Sequence, residues 1–254
     1  MLQVRAVAIG AGAPKIIVPI TATHADEALA QARRIAASPD ADLAEWRIDY
    51  LDIAHDARAL SALGPQVARA LAGKPLILTF RTRAEGGAAA IDDAAYGALY
   101  AALLQARFAD LVDVEMFRDE RVVRDLVARA HRAGAYVVMS SHDFHATPPA
   151  AEIAARLQRQ QALGADVLKI AVMPNDPGDV LALLEATWQL RRHSDRPLLT
   201  MAMGPLGVVS RLSGETFGQA LTFGMLGTAS APGQVEAAPL RQVLDTLHHA
   251  AAGP

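Results

Sequence analysis

Residues 166–172 read Asp-Val-Leu-Lys-Ile-Ala-Val, so that Lys169 stands among Val167, Leu168, Ile170, Ala171 and Val172. Aliphatic residues at consecutive positions fit a strand covered on both faces, the environment of a parallel strand under helices. Gly164 precedes the run where a helix end belongs. Asp176-Pro177 follows it, a capping residue with proline at the first helical position. The stretch therefore reads helix–strand–helix, one unit of an alternating α/β chain.

The same unit recurs in both directions. Candidate strands lie at Lys15–Ile20, Ala44–Ile48, Pro75–Arg81, Leu111–Glu115, Ala135–Ser140, Asp166–Val172, Pro197–Met203 and near Leu221–Leu226. Helical spacing of apolar residues fills the gaps over His24–Ala37, Asp92–Phe108 and Arg118–Ala133; Thr147-Pro148 gives a further helix start and Gly134 a further helix end. Eight units of about thirty residues fill the 254 residues, the size of one (β/α)8 barrel. No Gly-x-Gly-x-x-Gly follows the first strand, which argues against an open dinucleotide-binding sheet. The expectation is an α/β fold, a (β/α)8 TIM barrel forming a single domain over residues 1–254. The segment before Pro14 is expected to form a hairpin closing the other mouth of the barrel.

Composition narrows the function. Apolar residues make up 52% of the chain and charged residues 20%, with a formal net charge of −3. That balance supports a large core and offers no basic face for nucleic acid. The one dense basic run, Arg191, Arg192, His193 and Arg196, falls at a predicted helix end, where cations suit the helix dipole. The absence of cysteine excludes disulfides, thiolate nucleophiles and cysteine-held metals. With neither a signal-like run nor an uncharged apolar stretch of about 18 residues, a cytoplasmic protein without membrane partners is expected.

Polar residues collect at the strand ends where barrels place their chemistry. Lys169 is costly in an apolar run unless it is paired or discharged. Its two readings are a buried ion pair, with Glu115 as a candidate partner, or a Schiff-base lysine whose amine is freed by burial and neighbouring cations. The second matters because only about 0.04% of an ordinary lysine is neutral at pH 7. His142 ends the preceding strand, about 4.8 Å away across a parallel pair. An imidazole there suits removal of a proton next to an imine, and Glu85 or Glu115 would hold its tautomer. Arg47, Arg81 and Arg211 around one mouth suggest a carboxylate ligand; the plainer reading pairs them with Glu45, Asp49 or Glu215, and at least one is expected to do so. Nothing in the sequence suggests a cofactor or a metal.

The chain resembles the type I 3-dehydroquinate dehydratases along nearly its whole length. The matching segments include Lys15–Val18, Glu45–Asp49, Thr79–Thr82 with Glu85-Gly86-Gly87, Asp113–Glu115, Ser140–Phe144, Lys169–Pro174, Met201–Gly204, Ser210-Arg211 and Ala229–Gln234, in order and at barrel spacing. The resemblance implies syn elimination of water from 3-dehydroquinate to give 3-dehydroshikimate, the step shared by the shikimate pathway and quinate breakdown. It implies an imine on Lys169, His142 as general acid and base, and Glu85 orienting it. It assigns the substrate carboxylate to Arg211 with Ser230 and Gln234, the ring hydroxyls to Glu45, Arg47 and Arg81, and a closing lid to the Ser230–Gln234 loop. It also implies a homodimer. One departure is Pro19, where the family often has a serine; Thr21 is the nearest hydroxyl that would replace it. The competing readings are another Schiff-base barrel, such as a class I aldolase, and a barrel that binds a carboxylate without turnover.

Overall fold

The computed structural model describes residues 1–252. A short antiparallel hairpin comes first, β1 (Leu2–Val4) and β2 (Val7–Ile9). The parallel strands are β3 (Lys15–Ile20), β4 (Leu43–Arg47), β5 (Leu76–Thr79), β6 (Leu111–Glu115), β7 (Tyr136–Asp143), β8 (Val167–Val172), β9 (Leu198–Ala202) and β10 (Leu221–Met225). They pair in the order β10-β3-β4-β5-β6-β7-β8-β9. The ring closes where the Ala220 N–H donates to the Leu198 carbonyl at 2.8 Å, beside a parallel bridge between Leu198 and Gln219. A two-residue β11 (Val235–Glu236) adds to the end of β10.

Helices cover the outside: α1 (Ala25–Ala37), α2 (Ala57–Ala70), α3 (Asp93–Gln105), α4 (Glu120–Ala133), α5 (Ala150–Ala162), α6 (Pro177–Arg191), α7 (Gly204–Leu212) and α8 (Ala237–Ala252). Their ends follow local chemistry. Asp176 caps α6 by accepting from the Asp179 N–H, with Pro177 inside the first turn as expected. The Arg191–Arg196 run falls at the end of α6. One helix expectation needs correction. Thr147-Pro148 does not begin α5; the Thr147 hydroxyl donates to the Met173 carbonyl instead, and the helix starts at Ala150. Helix α2 fills the place that the alternation requires between β4 and β5, for which the sequence reading gave no bounds; burial of Leu60, Leu63 and Val67 and an Asp56 cap hold it around Pro65.

Pro19 sits inside β3, where a missing N–H would ordinarily break a ladder. The pairing of β3 with β10 ends at Ile17, two residues before it, while pairing with β4 continues through Ile20.

Alternation along the strands stacks the inward side chains in tiers, each drawn from every second strand. The lowest is Leu43, Leu111, Val167 and Leu221; above it lie Ile17, Ile77, Val138 and Leu199. Val4 and Ile9 of the hairpin pack into the same apolar cluster, so the hairpin plugs the N-terminal mouth. The third tier comes from β4, β6, β8 and β10: Glu45, Asp113, Lys169 and Phe223. There the interior turns from apolar to charged.

Candidate active site

Lys169 belongs to that third tier and is 3% exposed. Its Nζ donates to Asp113 Oδ2 at 2.8 Å and lies 3.3 Å from Glu45 Oε1, with the Phe223 ring centroid 5.0 Å away. Gln160 of α5 fixes the backbone beneath it. The Gln160 carboxamide accepts from the Lys169 N–H at 2.9 Å and donates to the Lys169 carbonyl at 2.8 Å, a side chain acting as one more strand partner. The ion-pair partner is thus Asp113, not Glu115, and the groups touching the amine are carboxylates rather than the cations expected from sequence.

His142 stands on the adjacent strand. The register of β7 with β8 sets Ser140 against Lys169 and His142 against Ala171, one inward step nearer the opening. Its Nδ1 lies 2.8 Å from Glu85 Oε2, and its ring stacks on Phe144 with a 22° interplanar angle. Glu85 ends a single 3-10 turn, Arg83–Glu85, closed by Gly86 at φ +82°. A Cβ on Gly86 would stand 2.2 Å from the Phe144 ring, so only glycine permits both this turn and the stack. Burial pushes the Glu85 carboxyl up to about 8; Arg81 opposes this, while Glu115 and Asp113 add to it. Burial also drives the His142 imidazole well below its usual value, and Arg81 and Lys169 reinforce the shift. Of this pair the carboxyl is the group that retains the shared proton.

The three arginines fare differently. Arg47 makes two 2.7 Å bonds to Asp49. Arg81 reaches Asp113 at 2.7 Å, Glu115 at 2.9 Å and the Ser140 hydroxyl at 3.0 Å, with Glu85 at 3.6 Å. Arg211 pairs with no carboxylate among the described residues, and Glu215, its sequence-proposed partner, bonds to His248. The Arg211 guanidinium meets only the Met201 sulfur at 3.6 Å and the Pro232 carbonyl at 3.3 Å, and its Nε has no partner. Burial alone lowers Arg211 to about 10, whereas Asp113 and Glu115 more than offset burial at Arg81. One pairing, Arg47 with Asp49, is therefore the plain one read from sequence; Arg81 is answered by carboxylates the sequence reading did not name, and one guanidinium remains for an anion.

Glu45, Arg47, Arg81, Glu85, His142, Lys169, Arg211, Ser230 and Gln234 all line one cavity at the C-terminal mouth, with about 470 Å³ of empty space that opens to solvent. Ser230 and Gln234 clasp one another, Ser230 N–H to Gln234 Oε1 at 2.8 Å and Gln234 Nε2 to Ser230 Oγ at 3.0 Å. Gly233 between them has φ +78°, and a Cβ there would stand 2.4 Å from the Gly204 carbonyl oxygen. The loop therefore rests on the start of α7. Thr21 is not in the lining; its N–H is bonded to Gln31. The sequence reading assigned no role to Asp113, Gln160, Phe144, Met201, Met203 or Phe223. Inward alternation along β6 pointed to Asp113, but no local signal marks Gln160.

A closed parallel barrel with a lysine, an orienting carboxyl–imidazole pair and an unanswered arginine in one mouth defines a (β/α)8 site of the amine–imidazole class, suited to a small anionic carbonyl compound. The type I 3-dehydroquinase family model matches residues 16–251. The 3-dehydroquinate dehydratase of Syntrophotalea carbinolica is 50% identical over 248 residues, covering 97% of this chain and 98% of that protein. The catabolic 3-dehydroquinate dehydratase of Acinetobacter baylyi is 47% identical, over 92% of this chain and 86% of its own length. A crystal structure of the type I 3-dehydroquinate dehydratase from Clostridium difficile, with covalently modified comenic acid, superposes with a TM-score of 0.94 at 40% identity, covering 98% of each chain. The chain belongs to the type I 3-dehydroquinase family.

Proposed function

We propose that the protein is a hydro-lyase that converts 3-dehydroquinate to 3-dehydroshikimate by syn elimination through an imine on Lys169. The carrying observation is the shared cavity in which the Lys169 amine and the His142 imidazole stand on neighbouring strands opposite an unpaired Arg211.

Lys169 attacks the C3 ketone, and loss of water gives an iminium. The cationic C=N withdraws electrons from the adjacent C–H bond, so His142 Nε2 removes the C2 proton and then returns it to the departing C1 hydroxyl. Glu85, as carboxylate, accepts from His142 Nδ1–H and leaves Nε2 free for that work. Arg211 grips the substrate carboxylate with Ser230 and Gln234. Glu45, Arg47 and Arg81 contact the ring hydroxyls and shape the floor. The Ser230–Gln234 loop closes over the imine and excludes water. Relatives in this family are named for the same dehydration, which supports the reading. So does the meeting of the amine, the imidazole and an unpaired guanidinium in one cavity. A single domain over residues 1–254 and a cytoplasmic location, both read from the sequence, and a homodimer, implied by the family resemblance, belong to the same reading.

The test is borohydride reduction in the presence of 3-dehydroquinate. A mass increase mapped to Lys169, with conjugated enone absorbance appearing in unreduced samples, is the expected result. Turnover undiminished in Lys169→Ala would overturn it.

A further inference from the structure

Asp113 has no surface exposed to solvent and does not line the cavity, yet it touches the nitrogen on which the proposed chemistry turns. Resting on the functional reading above, we propose that Asp113 is the lasting counter-ion of that nitrogen, holding first the Lys169 ammonium and then the N–H of the substrate iminium, while Glu45 is the carboxylate that faces the substrate.

The balance of the step shows why one anion serves both states. An ammonium and a ketone give an iminium and water: the ketone oxygen leaves with two of the three ammonium protons, the third stays on nitrogen, and the positive charge stays at Nζ. A carboxylate oxygen 2.8 Å from Nζ is therefore matched before and after condensation, with no net proton to import. The charge is absent while the free amine adds to the ketone and in the carbinolamine it forms, and again in the enamine, after His142 has taken the C2 proton. It returns when the C1 hydroxyl leaves as water carrying that proton.

An anion left alone in a sealed tier at that moment would be severely destabilised. Asp113 is not left alone. Its other oxygen accepts from Arg81 Nη2 at 2.7 Å and from the Ser140 hydroxyl at 2.6 Å. Burial by itself would raise this carboxyl; Arg81 first and Lys169 second reverse that and hold it below the usual carboxylate range. Asp113 thus keeps its charge through the cycle, because half of its coordination never takes part in it. Glu45 is placed differently: it reaches Nζ only at 3.3 Å and it lines the cavity.

The experiment measures two properties of Lys169 in Asp113→Asn: its rate of acetylation by an acetic anhydride pulse at pH 7 without substrate, and the fraction trapped by borohydride with 3-dehydroquinate. Losing the counter-ion frees the amine but destabilises the iminium, so acetylation should quicken several-fold while trapping falls about tenfold. A residue that merely props the pocket would lower both, and that result overturns the proposal. Ser140→Ala, which keeps the carboxylate, should leave acetylation near the wild-type rate; an increase equal to that of Asp113→Asn also overturns it. If Asp113→Asn does not fold, the wild-type imine decides: its C=N Raman band must shift in D2O up to pH 9, as a protonated iminium does, and an unshifted band refutes the assignment. Wild-type protein that traps nothing would sink the functional reading, and this proposal with it. Normal wild-type trapping with an unchanged Asp113→Asn would sink this proposal alone.

Discussion

Arg81 and Arg211 are guanidiniums of one cavity, 3% and 1% exposed. Arg81 belongs to the wall built by β4–β8, where Asp113, Glu115, Glu85 and Glu45 surround two cations, Lys169 among them. Arg211 belongs to the opposite side, formed by α7 and the 230–234 loop, where its neighbours are a sulfur and a carbonyl. Burial acts on both in the same direction, and only the first is compensated. A buried charge whose partners are all supplied by the protein fixes geometry; one whose partner is missing stores an unmet demand for an anion. On the proposed function the two walls would divide the work accordingly: the first would position the reacting atoms, the second recruit the ligand.

The largest effect falls on the first wall. Lys169→Met should lower kcat by about 10⁴-fold or more, since no neighbouring group replaces the amine. It should leave the fold intact, because Asp113 retains Arg81 and Ser140. Absorbance of the enone product reports the rate, and urea unfolding the stability. A variant that instead unfolds would show that Lys169 is structural and the division of labour false.

The arginines themselves provide the sharpest contrast. Arg81→Met leaves Glu115 buried without a cation and Asp113 with Lys169 and Ser140 only, and should cost roughly 3–5 kcal/mol of stability. Arg211→Met removes a charge that nothing balances, so its stability should be unchanged or raised. Its kcat/KM should fall about 10²- to 10³-fold, mostly through KM, as expected for losing a bidentate carboxylate contact. Equal losses of stability in the two variants would erase the distinction.

This contrast also shows what the sequence disclosed. The eight apolar runs disclosed the barrel because alternation and continuous burial are local properties. The clustering of Lys169, His142 and three arginines followed from their strand-end positions. The choice among the arginines did not, because Asp113 and Glu115, which answer Arg81, lie more than thirty residues away in sequence. Glu115 stands as a candidate partner of Lys169 in the sequence, and Asp113 takes that place in the structure, for a similar reason. Asp113 and Glu115 both face inward, two residues apart on β6, and only the height of the tier decides which one Nζ meets. Gln160 stayed silent because its partners are backbone atoms, which every residue has.

A third prediction concerns pH. With the Glu85 carboxyl pushed up to about 8 and His142 held down, the proton they share rests on Glu85 in neutral solution, its O–H facing Nδ1 and Nε2 blocked by hydrogen. Raising the pH removes that proton; Nδ1–H then faces a carboxylate and Nε2 becomes the base. The kcat/KM of the free enzyme should therefore climb with pH, half-maximal near pH 8. Glu85→Gln removes the carboxyl titration, so this limb should move to lower pH, where the depressed His142 itself titrates. The plateau should drop about tenfold because a carboxamide selects the tautomer less firmly. A limb that stays in place would assign the titration to another group.

The smallest effect separates two serines. Ser140 on the first wall is fully buried, donating to Asp113 at 2.6 Å and accepting from Arg81 at 3.0 Å. Ser230 on the second is half-buried and accepts from Gln234 at 3.0 Å. Each substitution by alanine deletes one hydroxyl, so the chemistry removed is identical and only the surroundings differ. Ser140→Ala leaves a sealed carboxylate short of a donor, which should cost about 1–3 kcal/mol of stability. Ser230→Ala leaves Gln234 free to turn to water or substrate, so stability should be unchanged and KM should rise only a few-fold. Unfolding midpoints and KM values for the pair test the division at the level of a single hydrogen bond: a stability loss in Ser230→Ala matching that in Ser140→Ala would mean that the loop is part of the fixed wall, not a ligand-recruiting rim.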